Sequence, residues 1–309
     1  MGVFVFLPLV LPLTAWPIAR LAEQHLHPRT ATRLVTAVAG VMALCSTLCL
    51  ALLMVVGTAQ LPGNPLPDGW SDPEVRAAVP FDEVAGRAAI PALLAVFVAC
   101  GRLAWRHRTV RRAAHRALTA RPGTPVVVLP DEEPYAYALP GGRGRIVAST
   151  GLLAHLRPAE RRALFAHERA HLAAGHHRFL LVVQLAARAN PFLRPLRTAV
   201  VYTAERWADE DAARAVGSRR TVARAIGRAA LVSRPSPSPT FAALASPGPV
   251  PRRVAALLRP APVAHRWPPA RTAVGLAAWG AAVGTAVSAM SSANSAVTMV
   301  LILRAATPL

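Results

Sequence analysis

Long apolar stretches without a charged residue constrain this chain more than any other feature. Residues 34–61 and 272–303 carry no charge, and each exceeds the roughly 20 residues that a membrane-spanning helix needs. Over the whole chain 53% of residues are hydrophobic and 16% are charged. Soluble domains usually carry about a quarter charged residues. We therefore expect an integral membrane protein in contact with the lipid bilayer.

Two further apolar stretches predict two more spans. Residues 84–105 have a charge-free centre at 88–101, so the flanking arginines would extend toward the lipid headgroups. Residues 3–19 contain three prolines, which predict a kinked helix. This stretch lacks the basic start and the small-residue cleavage site of a signal peptide, so we expect it to be retained as a first span.

The arginine distribution predicts the orientation of these spans. The formal charge is +20, and arginine supplies all 35 basic residues. Arginines lie between the first two spans and again in residues 102–121, whereas the charged residues within 62–83 are mainly acidic. The positive-inside rule then places both termini outside and the long loop 106–270 in the cytoplasm. The arginines show no aromatic interleaving, so anchoring to anionic lipid is favoured and no direct nucleic acid binding is expected.

The loop 106–270 is predicted to be the one soluble domain. It opens with a basic helix at 106–120. Three short strands are expected, at residues 125–130, 135–139 and 145–148, with a turn at Pro140 between the last two. From 150 to 231 the pattern is helical, with breaks near Gly175, Asn190 and Gly217, and a Ser/Pro-rich loop at 234–251 follows.

Residues 167–171, with the sequence HERAH, indicate a metal site on a helix. Residues four apart share one helix face, so His167 and His171 can bind one ion. Glu168 lies one position further round and can act as a base on a water molecule that the metal activates. The alternative is a surface pair of histidines, but the motif is uncommon by chance, and we expect one zinc ion per chain.

A catalytic zinc site needs a third protein ligand. Glu205 lies on the next strongly helical stretch, 34 residues after His171, which is enough for a turn, a connecting helix and a return. Spacing alone leaves open whether Glu205 binds metal or is a solvated carboxylate that pairs with Arg197 or Arg206. Asp209, one turn beyond Glu205, can orient a ligand histidine through its second ring nitrogen.

Three other features carry weaker signals. Tyr202, one turn before Glu205, could donate to an oxyanion, although a packed aromatic ring is the simpler interpretation. His176 and His177 follow near a helix end; we expect structural or solvated side chains there, and His176 is the next ligand candidate if Glu205 fails. The strand at 135–139 could hold an extended peptide by edge pairing or could be an inner strand.

The pattern HExxH followed by ExxxD resembles the gluzincin membrane peptidases, which include the CAAX prenyl proteases and the HtpX group. The sequence is more similar to the BlaR/MecR-type sensor-transducer peptidases. Three passages carry this similarity: residues 146–153 (IVASTGLL), 190–193 (NPFL) and 205–209 (ERWAD). The four spans, with a peptidase loop inside between the third and fourth, match the layout of that group.

The resemblance implies that His167, His171 and Glu205 are zinc ligands and that Glu168 is the base. It also implies that Asp209 contacts a ligand histidine without binding the metal. It implies a zinc metalloendopeptidase of the bacterial cell membrane that cleaves a protein or peptide substrate, such as a transcriptional repressor, in regulatory signalling or processing. The expected fold is α+β and mainly helical. Three transmembrane helices occupy residues 1–105, a zincin-like metallopeptidase domain occupies 106–270, and a fourth transmembrane helix lies within 271–309.

Two features depart from that group. The best-known sensors carry a penicillin-binding domain after the last span; the sequence has none there, so we do not expect beta-lactam sensing. Residues 252–257 (RRVAAL) resemble a C-terminal arginine motif of the wider clan, but SPGP at 246–249 replaces the histidine that often precedes it. A surface arginine at a helix start explains Arg253 equally well.

Two other functions are compatible with the sequence. One is membrane quality control by an HtpX-like protease. The other is a non-enzymatic signalling or scaffold subunit in which zinc is structural or vestigial. A closed structural site would need a fourth protein donor, and His176 is the one nearby candidate. The sequence does not give the oligomeric state.

Overall fold

The computed structural model describes residues 6–59, 61, 82–118, 124–141, 144–232, 249–262 and 271–305, and these are mainly helical. The helices, in chain order, are α1 (Leu7–Val10), α2 (Ala15–His25), α3 (Pro28–Ala59), α4 (Asp82–Ala117), α5 (Thr150–Ala154), α6 (Pro158–Ala174), α7 (His176–Ala189), α8 (Arg194–Val216), α9 (Arg219–Val232), α10 (Val250–Leu258) and α11 (Ala273–Ala305). The strands are β1 (Val126–Leu129), β2 (Ala136–Leu139) and β3 (Arg145–Ser149).

Three helices in the described part of the chain are long and apolar enough to cross a membrane. They are α3 over Pro28–Ala59, α4 over Val84–Ala117 and α11 over Gly275–Ala305. The first predicted span, 3–19, instead contains α1, a 3-10 turn at Leu11–Thr14 and the start of α2. Prolines open α1 and the 3-10 turn, where a residue without a backbone N–H is tolerated. The count of four spans therefore stays a prediction.

The third apolar stretch does not end where the sequence pattern predicted. We expected a span at 84–105 and a separate basic helix at 106–120, but α4 is unbroken from Asp82 to Ala117. Beyond Gly101 the chain has neither glycine nor proline until Pro122, so nothing in the backbone ends the helix. The first half of α4 is apolar and favours lipid, whereas the second half is rich in arginine and favours water. This change in side chains leaves the helical conformation of the backbone unchanged.

The three predicted strands are confirmed, and they form one small sheet in the order β1-β3-β2. β1 runs parallel to β3, and β2 runs antiparallel to it with Ala138 opposite Ile146. Among the described residues β2 is therefore an edge strand and not an inner one; its binding of an extended peptide stays a prediction. The predicted helix breaks at Gly175 and Gly217 are also confirmed, since both glycines adopt positive φ at helix ends. The predicted Ser/Pro-rich loop lies mostly outside the described residues.

The N-terminal helices share one hydrophobic core with α7 and α8. Its buried members come from α2, α3, α7 and α8 and include Ala19, Val35, Val183, Leu196 and Val200. A buried hydrogen bond from Thr32 Oγ1 to Thr203 Oγ1, 3.0 Å long, joins α3 to α8 within this core. Helix α8 is thus fixed directly against a membrane helix. The predicted domain boundaries, at residues 105 and 270, stay a prediction.

Close packing also joins α3 to α4. A Cβ atom on Gly86 would lie 2.6 Å from the Cα of Gly57, so the two backbones touch at a pair of glycines. Gly280 and Gly284 of α11 form a GxxxG pattern, which often marks close helix packing in membranes, but no described atom lies within 4 Å of a Cβ built at either glycine. The close helix approach therefore occurs between α3 and α4, where neither helix carries a GxxxG signal.

Candidate metal centre

Helix α6 carries both histidines of the HERAH segment, and both of its ends are fixed. Pro158 opens it, and the Glu160 carboxylate accepts a hydrogen bond from the backbone N–H of Arg157 at 2.9 Å. The same carboxylate pairs with Arg228 of α9 at 3.0 Å. Gly175 ends the helix in the left-handed conformation, with φ of 66°. The two histidines therefore lie in the interior of a well-anchored helix.

Helix α8 brings a carboxylate to the same place. The NPFL segment before it is a compact cap, in which the Asn190 side chain accepts from the N–H of Phe192 at 3.0 Å. Helix α8 then packs along α6, so that the facing side chains of Glu205 and Asp209, one turn apart, meet the histidines. The chain thus returns to α6, the helix that carries the two histidines, as the spacing predicts.

Two imidazoles and one carboxylate converge on a single point. The Nε2 atoms of His167 and His171 lie 3.1 Å apart. The Glu205 carboxylate lies 3.5 Å from each of them, one oxygen per histidine. The potential ligand atoms of these residues all lie within 4.8 Å of one another. No other group of three such side chains occurs among the described residues.

Asp209 lies behind His167. One of its oxygens is 3.1 Å from Nδ1 of His167, on the far side of the ring from Glu205. Asp209 is fully buried. An aspartate in this position can fix the orientation and the tautomer of a ligand histidine, which is the role that the sequence assigned to it.

Arg253 of α10 holds both carboxylates of α8. Its Nε and one terminal nitrogen donate to the two oxygens of Asp209, at 2.9 and 2.6 Å. Its other terminal nitrogen lies 2.7 Å from Glu205. Arg253 is 4% exposed, so the surface arginine that the sequence allowed is ruled out. The signal that could have identified it was the RRVAAL resemblance, which the missing preceding histidine weakened.

Burial and charge act in opposite directions on the pKa values of these groups. Burial opposes the ionisation of Glu205 and Asp209, but Arg253 and the neighbouring histidines outweigh it and lower the pKa of both carboxyls. Burial likewise disfavours a charged His167, yet its hydrogen bonds to Asp209 and Glu205 raise its pKa to about 10. Burial lowers the pKa of His171 to about 4. Two anionic carboxylates therefore persist in a site with very little solvent.

Glu168 lies beside this cluster without joining it. Its carboxylate accepts a hydrogen bond from the backbone N–H of Ala138 in the edge strand β2. Burial raises the pKa of Glu168, and the positive charge of His167 opposes this effect. Burial outweighs the charge, and the pKa is about 6. A carboxyl with a pKa near neutrality is suited to accept and return a proton.

The weaker candidates also have definite positions. Tyr202 is buried, and the guanidinium of Arg252 lies 4.3 Å from its ring centroid, so a packed aromatic side chain describes it; its role as an oxyanion donor stays a prediction. His176 is 1% exposed, and its Nδ1 lies 2.9 Å from Nδ1 of His171. Its neighbour His177 is half-buried and lies near Arg111 and Arg178.

The donor set fits a zinc ion. Two neutral imidazole nitrogens and a carboxylate oxygen are the three protein ligands that catalytic zinc sites use, with the remaining position left for water or substrate. Two carboxylates, those of Glu205 and Asp209, pair with one guanidinium here, and the carboxylate of Glu168 lies beside them, which suits a divalent cation. The centre is compatible with zinc and has the arrangement of a metalloprotease.

Comparison with known proteins agrees with that class. The sequence model of peptidase family M48 matches residues 102–189, from the second half of α4 to the end of α7. The match includes His167, Glu168 and His171 and ends before Glu205. It supports the M48 metallopeptidase family, and hence a hydrolase that acts on peptide bonds. No curated protein and no solved structure matches the chain significantly.

Replacing Arg253 with Ala should leave two buried carboxylates without their common partner. We expect the free energy of unfolding to fall by about 3–5 kcal/mol, as when one member of a buried ion pair is removed. Zinc content should fall as well, because Glu205 loses its anchor. Thermal unfolding and metal analysis of the protein purified in detergent would measure both effects.

The matched control is Arg252→Ala. Its guanidinium is about half exposed, pairs with Glu23 at 2.9 Å and contacts neither Glu205 nor Asp209. This variant should lose less stability than Arg253→Ala and keep its zinc. Equal behaviour of the two variants would show that Arg253 does not organise the centre.

Proposed function

We propose that this chain is a membrane-embedded, zinc-dependent endopeptidase that cleaves a protein substrate in regulatory signalling or processing. The observation that carries the proposal is the convergence of His167, His171 and Glu205, with a separate buried carboxylate, Glu168, beside them. Three donors and an independent base are what hydrolysis at a zinc ion requires.

The residues of the centre divide the work of hydrolysis. A zinc ion held by His167, His171 and Glu205 would polarise the scissile carbonyl and acidify a water molecule. The Glu168 carboxylate would accept a proton from water and return it to the nitrogen of the leaving amine. Asp209 fixes the ring of His167, and Arg253 keeps Asp209 and Glu205 anionic.

An extended peptide would bind along β2. This strand lies at the edge of the sheet, and the backbone N–H of Ala138 already reaches Glu168. A substrate that pairs with an edge strand gains backbone hydrogen bonds that do not depend on its sequence. Its scissile bond would then lie close to the base.

A structural zinc ion is the rival interpretation, and the donor count argues against it. A closed structural site needs four protein ligands. Among the described residues the convergent group has three members. His176 is the fourth candidate in the sequence. Its Nδ1 contacts Nδ1 of His171 and not the space between the Nε2 atoms of His167 and His171, where a metal would lie.

The regulatory role rests on the resemblance to the BlaR/MecR-type peptidases in the IVASTGLL, NPFL and ERWAD passages. An HtpX-like role in membrane quality control would use the same centre on a different set of substrates. The two roles differ in what is cut. Comparing the membrane and cytosolic proteomes of cells that carry the wild-type protein or Glu168→Gln would separate one specific substrate from many misfolded ones.

Glu168→Gln and Glu205→Gln should have different consequences. Glu168→Gln keeps the size of the side chain but removes the base, so zinc should stay bound while cleavage of casein falls by about 10²–10⁴-fold. Glu205→Gln weakens a charged donor, so zinc affinity and cleavage should fall together. Asp209→Asn should reduce the affinity for zinc or the rate of casein cleavage by about 10–100-fold. Paired metal analysis and casein cleavage would measure these effects.

The outcome that contradicts this division is specific. If Glu205→Gln retains full zinc content and full activity, the third ligand lies elsewhere. If the wild-type protein carries no zinc and gains no activity when zinc is added, the proposed function is wrong.

The peptidase centre is proposed to face the cytoplasm of a bacterial cell, with both termini outside. The exposed arginines in the second half of α4 continue directly from its apolar half, and basic residues favour the inner side of a membrane. Reporter fusions after residue 121 should therefore report a cytoplasmic location, and fusions near residue 72 an external one. The reverse pattern would overturn the orientation and leave the chemistry of the centre unaffected.

A further inference from the structure

His176 makes a polar contact that the hydrolytic scheme does not use. It is the first residue of α7, immediately after the left-handed Gly175 that ends α6. This sharp turn directs its ring back toward α6, where its Nδ1 lies 2.9 Å from Nδ1 of His171. Since His176 is 1% exposed, solvent does not compete for this contact.

The positions of the nitrogens determine which histidine donates. The Nε2 of His171 faces Glu205 and the Nε2 of His167, so it is the nitrogen available to a metal. A neutral imidazole that offers a lone pair at Nε2 carries its proton on Nδ1. His171 therefore donates from Nδ1, and the Nδ1 of His176 accepts.

A carboxylate oxygen lies close to the corresponding nitrogen of the other ligand histidine. Nδ1 of His167 lies 3.1 Å from a carboxylate oxygen of Asp209. Each ligand ring thus has a separate acceptor behind it: an aspartate from α8 for His167 and a histidine from α7 for His171. An acceptor of this kind fixes the ring orientation and raises the basicity of the ligand nitrogen.

Packing alone does not account for a histidine at this position. The Nε2 of His176 is buried without a hydrogen-bond partner among the described residues. A buried polar group without a partner is costly, whereas an apolar side chain of similar size could fill the space without that penalty. Among the described residues, the polar contact that offsets this burial is the one to His171.

Trp207 holds the ring of His176 in place. The two rings pack edge to face, with centroids 4.7 Å apart. Trp207 follows Glu205 on α8, and its Nε1 donates to Asp211 at 3.1 Å. The arginines at positions 29 and 33, at the start of α3, each lie 5.3 Å from the indole centroid. The acceptor for His171 is therefore supported by contacts that reach a membrane helix.

We propose that His176 is a positioning residue, which holds the ring of the metal ligand His171 by accepting a hydrogen bond from its Nδ1. This inference rests on the proposed zinc site. It gives His176 a role distinct from ligation and from filling space, and it predicts that zinc affinity depends on an acceptor at this position.

Zinc affinity of the purified full-length protein tests the inference independently of activity. Competition with a chelator should give dissociation constants about 10–100-fold weaker for His176→Ala and His176→Phe than for the wild type. His176→Phe keeps a ring against Trp207 but has no acceptor. His176→Asn keeps an acceptor on a short side chain and should recover most of the lost affinity. The control is His177→Ala, the adjacent histidine, which should bind zinc like the wild type.

The tautomers of the wild-type protein provide a second test that needs no variant. With histidine labelled at the ring nitrogens and zinc bound, nuclear magnetic resonance should find Nδ1 protonated in His171 and unprotonated in His176. Wild-type affinity in His176→Phe, or the opposite tautomers, would overturn the inference while zinc binding itself persists. Absence of zinc binding in the wild type would instead overturn the proposed function together with this inference.

Discussion

The guanidinium of Arg253 lies between the carboxylates of Glu205 and Asp209, with little exposure to solvent, and donates to both. Without this charge, two anions one helical turn apart would face each other in a site with little solvent, and burial would favour protonation of one of them. With it, both carboxyls have lowered pKa values and stay ionised. One is then available to bind metal and the other to orient His167.

This pairing also determines which helices must come together. Arg253 lies on α10, the carboxylates on α8 and the histidines on α6, so the centre forms only when three separate segments of the chain meet. The hydrogen bond from Thr32 to Thr203 and the packing of two α3 arginines on Trp207 fix α8 to a membrane helix. The position of Glu205 is thereby connected to the membrane part of the molecule.

The local features of the centre were accessible from the sequence because they depend on local periodicity. The spacing of His167 and His171 determines a shared helix face, and short apolar runs between glycines and prolines gave the three strands within one or two residues. The break at Gly175 was likewise visible, because a left-handed helix end favours glycine.

The long-range features could not be obtained in the same way. Arg253 lies 44 positions after Asp209, and no helical or strand period relates two residues so far apart. The contact between His176 and His171 depends on how sharply the chain turns at Gly175, which the five-residue spacing does not specify. The continuity of α4 does not follow from the polarity pattern for a different reason: a change from apolar to charged residues alters the preferred solvent but does not break the backbone.

The central claim is that His167, His171 and Glu205 are the protein ligands of one zinc ion, with Glu168 and His176 outside the coordination sphere. X-ray absorption spectroscopy of the zinc-loaded protein tests it most directly, because imidazole and carboxylate ligands scatter differently. The account predicts two imidazoles and oxygen ligands, with one imidazole lost in His171→Ala and none lost in His176→Asn. Three imidazoles in the wild-type spectrum, or loss of one in His176→Asn, would contradict it.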